Sequence, residues 1–320
     1  MNFSLSLANL GAVAVLLGVV FIAVKLTLLV QRLQVLTVPA QPTGAGSSSL
    51  AVASPYLLIK ARHGWMLANP HDFYLGKALV EYGEYGEIES RYLVSLLALR
   101  PGKVIEVGAN IGTHTIPLAK ALAVEKREIV VFEPQPFIFQ NLCANLALNG
   151  ITNATAWPWA CGTRAETVHF STPDYTAHGN FGAVSMTPES RQGSVAVPCV
   201  RLDDVVGPGP VGLIKIDVEG YELPALQGAI GILTSSRPLL YVENDRVEKS
   251  QALIEWLWSR NYRLFWHIPP LFNPENIFKK KENIYGIVFS FNMLGVPREV
   301  DIPVDGMQEI MNAAEHPLSN

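Results

Sequence analysis

Cysteine is scarce in this sequence, and where it occurs it is scattered. Cys143, Cys161 and Cys199 are the only three in 320 residues, none in a C-x-x-C pair. That excludes a disulfide framework and a cysteine zinc site, and it fits a reducing compartment. Basic charge is also in short supply. Twenty-four Lys and Arg against 28 Asp and Glu leave a formal charge of -4. No basic run is interleaved with aromatics, which argues against nucleic acid as a partner; Lys279-Lys280-Lys281 reads as a solvated loop. No Gly-Lys-Ser/Thr is present, so a phosphate-cradling loop of that type is missing. No internal repeat is visible and the histidines show no metal-ligand spacing; no metal is expected, although the scattered acids could form a site.

Charge is missing altogether from residues 1–24, and residues 10–30 are apolar apart from Lys25 and Thr27. That meets the roughly 20 apolar residues needed to cross a bilayer. No basic region precedes the run, as a cleaved leader would require, and no polar face marks it as a surface helix of a globular core. Residues 1–36 are therefore read as a single membrane-spanning anchor. Lys25 and Arg32 follow the span, so the positive-inside bias places the rest of the chain in the cytoplasm. There the Asn153-Ala154-Thr155 sequon carries no meaning. Residues 37–53, with Pro39, Pro42, Gly44, Gly46 and a serine run, read as a flexible tether.

What the rest of the chain has in quantity is apolar residues, 49% overall, arranged in alternating short runs. Residues 54–100 form a mixed cap segment, whose last helix is closed by Pro101-Gly102. From 101 to 300, strands are expected at 103–108, 128–133, 155–160, 212–218 and 238–243. Helices are expected at 112–123, 135–148, 222–230 and 249–260. This βα alternation predicts an α/β domain, a mostly parallel sheet with helices on both faces. Residues 168–206 hold short β-like pieces, 263–291 a closing pair of strands around a loop, and 301–320 a tail.

The densest information lies in Val104-Ile105-Glu106-Val107-Gly108-Ala109-Asn110-Ile111-Gly112, answered by Val131-Phe132-Glu133-Pro134. Both are buried-strand patterns, the first entering a glycine turn, the second ending in an acid. In an open α/β sheet such ends lie side by side at the carboxyl edge, where nucleosides bind. A dinucleotide fingerprint starting at Gly108 would need glycine at 110 and 113, which are Asn110 and Thr113. A nucleoside without a pyrophosphate fits better, and S-adenosylmethionine is the common one. Glu133 is then placed to accept from the ribose hydroxyls.

Glu106-Val107-Gly108-Ala109-Asn110-Ile111-Gly112, taken with Leu213-Ile214-Lys215-Ile216-Asp217-Val218-Glu219-Gly220-Tyr221-Glu222, resembles the FkbM family of S-adenosylmethionine-dependent methyltransferases. The resemblance runs from about residue 72 to about residue 297. It implies a class I, Rossmann-like methyltransferase with a seven-stranded sheet whose last strand is antiparallel. It also implies O-methylation of a sugar, glycolipid or similar polyol.

The cofactor-binding candidates are Glu84, Glu106, Gly108, Asn110, Gly112, Glu133 and Asn145. Glu84, with Glu87, would close over the methionine end, whose ammonium wants a carboxylate, and Asn145 would lie near the adenine or cap its helix. Asp217 and Glu219, leaving the fourth strand, are the candidates for proton handling at an alcohol acceptor; a helix amino-terminal role is their alternative. Lys215, Glu243, Asn244 and His267 are the candidate substrate contacts, Lys215 alternatively a buried ion-pair partner. His114 sits beside the expected sulfonium position. Two rival readings are a membrane-tethered binding protein with a degenerate nucleoside pocket and a nicotinamide-dependent oxidoreductase.

Overall fold

The computed structural model describes residues 55–320 other than 185, 188, 191, 305 and 320. The expected anchor and tether lie outside the described residues. Among those described, no helix is long and apolar enough to cross a membrane.

The described residues open with a hairpin, β1 (Leu57–Ala61) and β2 (Gly64–Ala68), followed by helices α1 (Leu75–Tyr82) and α2 (Glu87–Leu96). The main sheet is then laid down by β3 (Lys103–Val107), β4 (Ile129–Phe132), β5 (Ala154–Trp157), β10 (Val211–Ile216) and β11 (Leu239–Glu243), all parallel. Strands β12 (Tyr262–His267) and β13 (Asn292–Pro297) close it, β13 running antiparallel between β11 and β12. A closing pair around a loop was expected at 263–291; the pair is present, but its second strand begins just beyond that range. The intervening helices are α3 (Thr115–Val124), α4 (Pro136–Leu148), α5 (Leu202–Val205), α6 (Glu222–Gln227), α7 (Ile230–Ser235) and α8 (Val247–Ser259).

Strand alternation feeds two cores. Val104, Val131, Leu213 and Leu239 pack on one face with Leu93, Leu118 and Leu142. Their neighbours Ile105, Val130, Ile214 and Leu240 pack on the other with Leu226, Leu233 and Ile254. Helices on both faces are why these strands read as unbroken apolar runs rather than as alternating patterns.

Several boundaries differ from the expectation. The third strand stops at Trp157, because Pro158 has no amide for the ladder. Strand β6 (Ala160–Cys161) instead joins a small second sheet with β7 (Glu166–Ser171), β8 (Met186–Thr187) and β9 (Ser194–Val200). The helix expected at 222–230 is two helices, α6 and α7. Asp203 restarts the second by accepting from the amides of Gly231 and Ile232 at 2.8 and 2.9 Å. The main sheet has eight strands rather than seven: within the presumed tail, β14 (Gln308–Glu309) pairs antiparallel with β12.

Candidate active site

The cleft is built where β3, β4 and β10 end. Gly108 adopts φ 84° and Asn110 φ 48°, a turn that aims amides at the neighbouring loop. The Asn110 amide donates to Glu133 Oε2 and the Gln135 amide to Glu133 Oε1, both at 2.9 Å. The carboxylate is thus fixed at the strand end by two backbone donors. Burial nonetheless raises its pKa to about 7, against the pull of those amides. A Cβ on Gly108 would lie 1.8 Å from the carbonyl oxygen of Asp217. Glycine is therefore demanded here by contact between the loops after β3 and β10, as well as by its positive φ.

Around this turn lies a cleft of about 260 Å³, walled by residues from the cap, the strand ends and the loop after β12. Among its described lining residues are seven carboxyl groups: Asp72, Glu89, Glu133, Asp217, Glu219, Glu243 and Asp245. Lys215 is the lone Lys or Arg. Asp217 accepts from Lys215 Nζ at 3.3 Å, and Glu106 lies 3.8 Å from the same ammonium. Burial opposes the Lys215 charge, but the Asp217, Glu106 and Glu89 carboxylates outweigh it and raise the Lys215 pKa. Glu89 is pushed up to about 7 by burial, with Lys215 opposing. Glu219, at φ 54° and ion-paired with Arg246, is raised to about 7 by burial and by the Asp217 charge. Burial and Asp217 drive Glu243 well above the carboxylate range, and its Oε2 has no hydrogen-bond partner. Burial and then Lys215 hold His114 well below the imidazole range, hence neutral.

The structure brings Gly108, Asn110, Glu133, Lys215, Asp217, Glu219 and Glu243 to this one cleft. It places the remaining candidates elsewhere. Glu106 sits beneath the floor: pairing of β3 with β10 sets it beside Lys215, and Thr115 Oγ1 donates to it at 2.6 Å. Gly112 serves packing, since a Cβ there would meet Leu142 at 2.9 Å. Asn145 is fully buried and clamps β2, accepting from the Leu67 amide and donating to the Leu67 and Ile111 carbonyls. Glu84 accepts from Arg62, Asn273 and the Ile277 amide, tying the late loop to the cap. Glu87 is held by His63, Arg62 and Arg91. Asn244 points away from Glu243, as strand alternation requires, and donates to Ser250 and Met293. His267 is hydrogen-bonded to Tyr241 at 2.7 Å, and burial lowers its pKa to about 4.

Three acids that line the cleft, Asp72, Glu89 and Asp245, were not among the sequence candidates; Asp72 accepts from the amides of Tyr74, Leu75 and Gly76 at the start of α1. Glu89 carried a readable signal. It stands four and seven residues before Leu93 and Leu96, so it shares their buried helix face, where an acid needs a reason. Asp245 lies one residue beyond the expected Glu243-Asn244 pair, and only the turn after β11 shows that 243 and 245, not 244, face the cleft.

Residues 106–264 match the Methyltransferase FkbM domain. The hexuronic acid methyltransferase AglP of Haloferax volcanii is 29% identical over 135 residues, covering 41% of this chain and 51% of that relative. The chain thus spans about half the length of the curated relative it matches. Among solved structures it is similar to methyltransferase FkbM of Methylobacillus flagellatus KT, at 17% identity and a TM-score of 0.41, covering 61% of this chain and 43% of that one. It is also similar to the O-methyltransferase TomG of Streptomyces achromogenes, at 13% identity and a TM-score of 0.41, covering 66% and 79%. At those scores neither likeness bears on the assignment. The glycine turn, Glu133 and the Asp217 strand end all fall inside the matched span, and residues 106–264 of this chain form a methyltransferase FkbM domain.

Proposed function

We propose that this chain methylates a hydroxyl of a sugar, glycolipid or other polyol, using S-adenosylmethionine. The observation that carries the reading is the meeting of the 108–110 turn and the Glu133 carboxylate in one acidic cleft, with Asp217 opposite. Two of the roughly four acceptor sites of the Glu133 carboxylate are taken by amides, which leaves capacity for two ribose hydroxyls. Beyond Glu133, the side chains of Val107, Pro134, Trp159, Phe170 and Met186 line an apolar recess suited to a flat base. The surplus of carboxyl groups favours a cationic ligand and opposes a pyrophosphate, which supports a sulfonium nucleoside over a nicotinamide dinucleotide.

When bound, the cofactor supplies an electrophilic methyl group. The work left to the protein is to hold the acceptor in line with it and to receive the acceptor proton. Asp217 is the group we assign to the proton, with Lys215 orienting its carboxylate and Glu219 the second choice. Glu243, with its unpartnered Oε2, is suited to accept from a substrate hydroxyl. The charge-free, apolar amino terminus supports a single-pass anchor, and the trailing Lys25 and Arg32 support a cytoplasmic domain acting on a membrane-bound acceptor.

Calorimetry on the purified full-length chain tests the cofactor: S-adenosylmethionine or its demethylated product should bind and NAD should not. Glu133→Ala should weaken that binding by about 1.5–3 kcal/mol, the value of hydrogen bonds to a charged group. Tight NAD binding, or an unaffected variant, would falsify the assignment. Membranes incubated with methyl-labelled cofactor then identify the acceptor by which glycan or lipid acquires label. In sealed vesicles of native orientation, external protease should leave the domain intact; digestion would reverse the topology.

A further inference from the structure

We propose that Glu89, on helix α2 of the cap, is the carboxylate that engages the ammonium of the cofactor's amino-acid end. This rests on the nucleoside reading above. That ammonium needs an anionic partner in a site closed to water, and the nearby acids differ sharply in their freedom to provide one. Glu84 and Glu87 are committed to cations and amides of the cap. Glu106 lies under the floor, bound to Thr115 and facing Lys215. Glu89 alone among the acids of α2 lines the cleft, and its hydrogen-bond partner there is the neutral Ser290 hydroxyl rather than a cation or an amide.

Its position along the cleft suits the role. In the reading above the apolar recess beside Glu133 takes the base; Thr113 and His114, at the head of α3, line the cleft but not that recess, so the amino-acid end is assigned to their part of the cleft. Glu89 Oε1 lies 3.6 Å from His114 Nε2 there. The imidazole is held in place by Ser90 Oγ, 2.9 Å from its Nδ1, and being neutral it does not compete for the carboxylate's charge. With Lys215 shared among Glu89, Glu106 and Asp217, this corner holds more negative than positive charge until a cationic ligand enters. The cap thereby contributes a ligand contact as well as a cover.

The test compares two probes that differ in the amino-acid end. S-adenosylhomocysteine carries the ammonium; 5′-methylthioadenosine keeps the nucleoside and lacks it. Full-length Glu89→Gln should bind S-adenosylhomocysteine about 10- to 100-fold more weakly than wild type, the range for a charge-assisted hydrogen bond. Its affinity for 5′-methylthioadenosine should be unchanged, which also shows that the variant is folded and its nucleoside site intact. In the wild type, affinity for S-adenosylhomocysteine relative to 5′-methylthioadenosine should fall as pH drops through about 7, where Glu89 takes up its proton, and the variant should lose that dependence. Equal weakening of both probes, or of neither, overturns the proposal. A wild type that binds neither probe overturns the nucleoside reading instead.

Discussion

Asp217 leaves β10 with its carboxylate half-exposed to the cleft and 3.3 Å from the buried ammonium of Lys215. That pairing keeps the carboxylate oriented at the strand end while leaving lone pairs for an acceptor hydroxyl. A positioned base contributes about 10²–10⁴-fold in rate, so Asp217→Asn should lower turnover by that order and leave cofactor affinity nearly unchanged. Labelled-methyl turnover and calorimetry on one preparation separate the two quantities. Turnover surviving within a few-fold would make Asp217 a structural anchor of Lys215, and loss of binding would move it to the cofactor site. Strand ends in a parallel sheet face a predictable edge, so Asp217, Glu133 and Glu243 were legible as residues. Glu84 and Asn145 were not, because a carboxylate or amide of the right type can be satisfied by any partner the fold brings near. Here those partners are the late loop for Glu84 and β2 for Asn145.

At the level of elements, side chains of the sheet domain hold the cap hairpin: Asn145 and Asn149 pair with the backbones of Leu67 and Trp65, and Lys120 donates to the His63 carbonyl. The Asn145 amide makes both hydrogen bonds of a strand partner to Leu67, and a third to the Ile111 carbonyl beside the glycine turn. Removing it leaves buried backbone groups unpaired, at a cost of about 1–3 kcal/mol. Asn145→Ala should therefore lower thermal stability, and hydrogen exchange should accelerate first at the Leu67 amide. Uniform acceleration across the domain would mean that the clamp has no local role. The sequence patterns located the strands of the main sheet to within a few residues, since each is a buried run between turns. They missed the break between α6 and α7 and the edge strand β14. Both depend on distant partners, Asp203 in one case and β12 in the other.

Across the whole molecule, the distribution of buried acids links stability to pH. Glu89, Glu133 and Glu219 each titrate near 7 in the folded chain, against about 4.5 when exposed. The folded state therefore holds more protons than the unfolded state between those values. Their contribution to stability is fully present below about pH 4.5 and is lost as pH rises through about 7. Differential scanning calorimetry of the ligand-free protein should show Tm falling from about pH 5 to pH 8 through these groups. S-adenosylmethionine should recover most of the loss by supplying positive charge to the cleft. A Tm that rises across this window without ligand would mean that the acids are paired more fully than their surroundings indicate.

The order of strands and helices, the acid at the end of β4 and the glycine turn after β3 are local patterns, set by period, burial and backbone freedom, and the sequence by itself determined them. Which acids face the cleft was decided by tertiary structure. The helical phase of α2 turns Glu89 inward while Glu87 pairs with His63, and the β3–β10 register buries Glu106 against Lys215. Carboxyl groups alike in sequence become ligand contacts, floor or staples according to which cation or amide the fold sets against them, and that partner comes from another part of the chain.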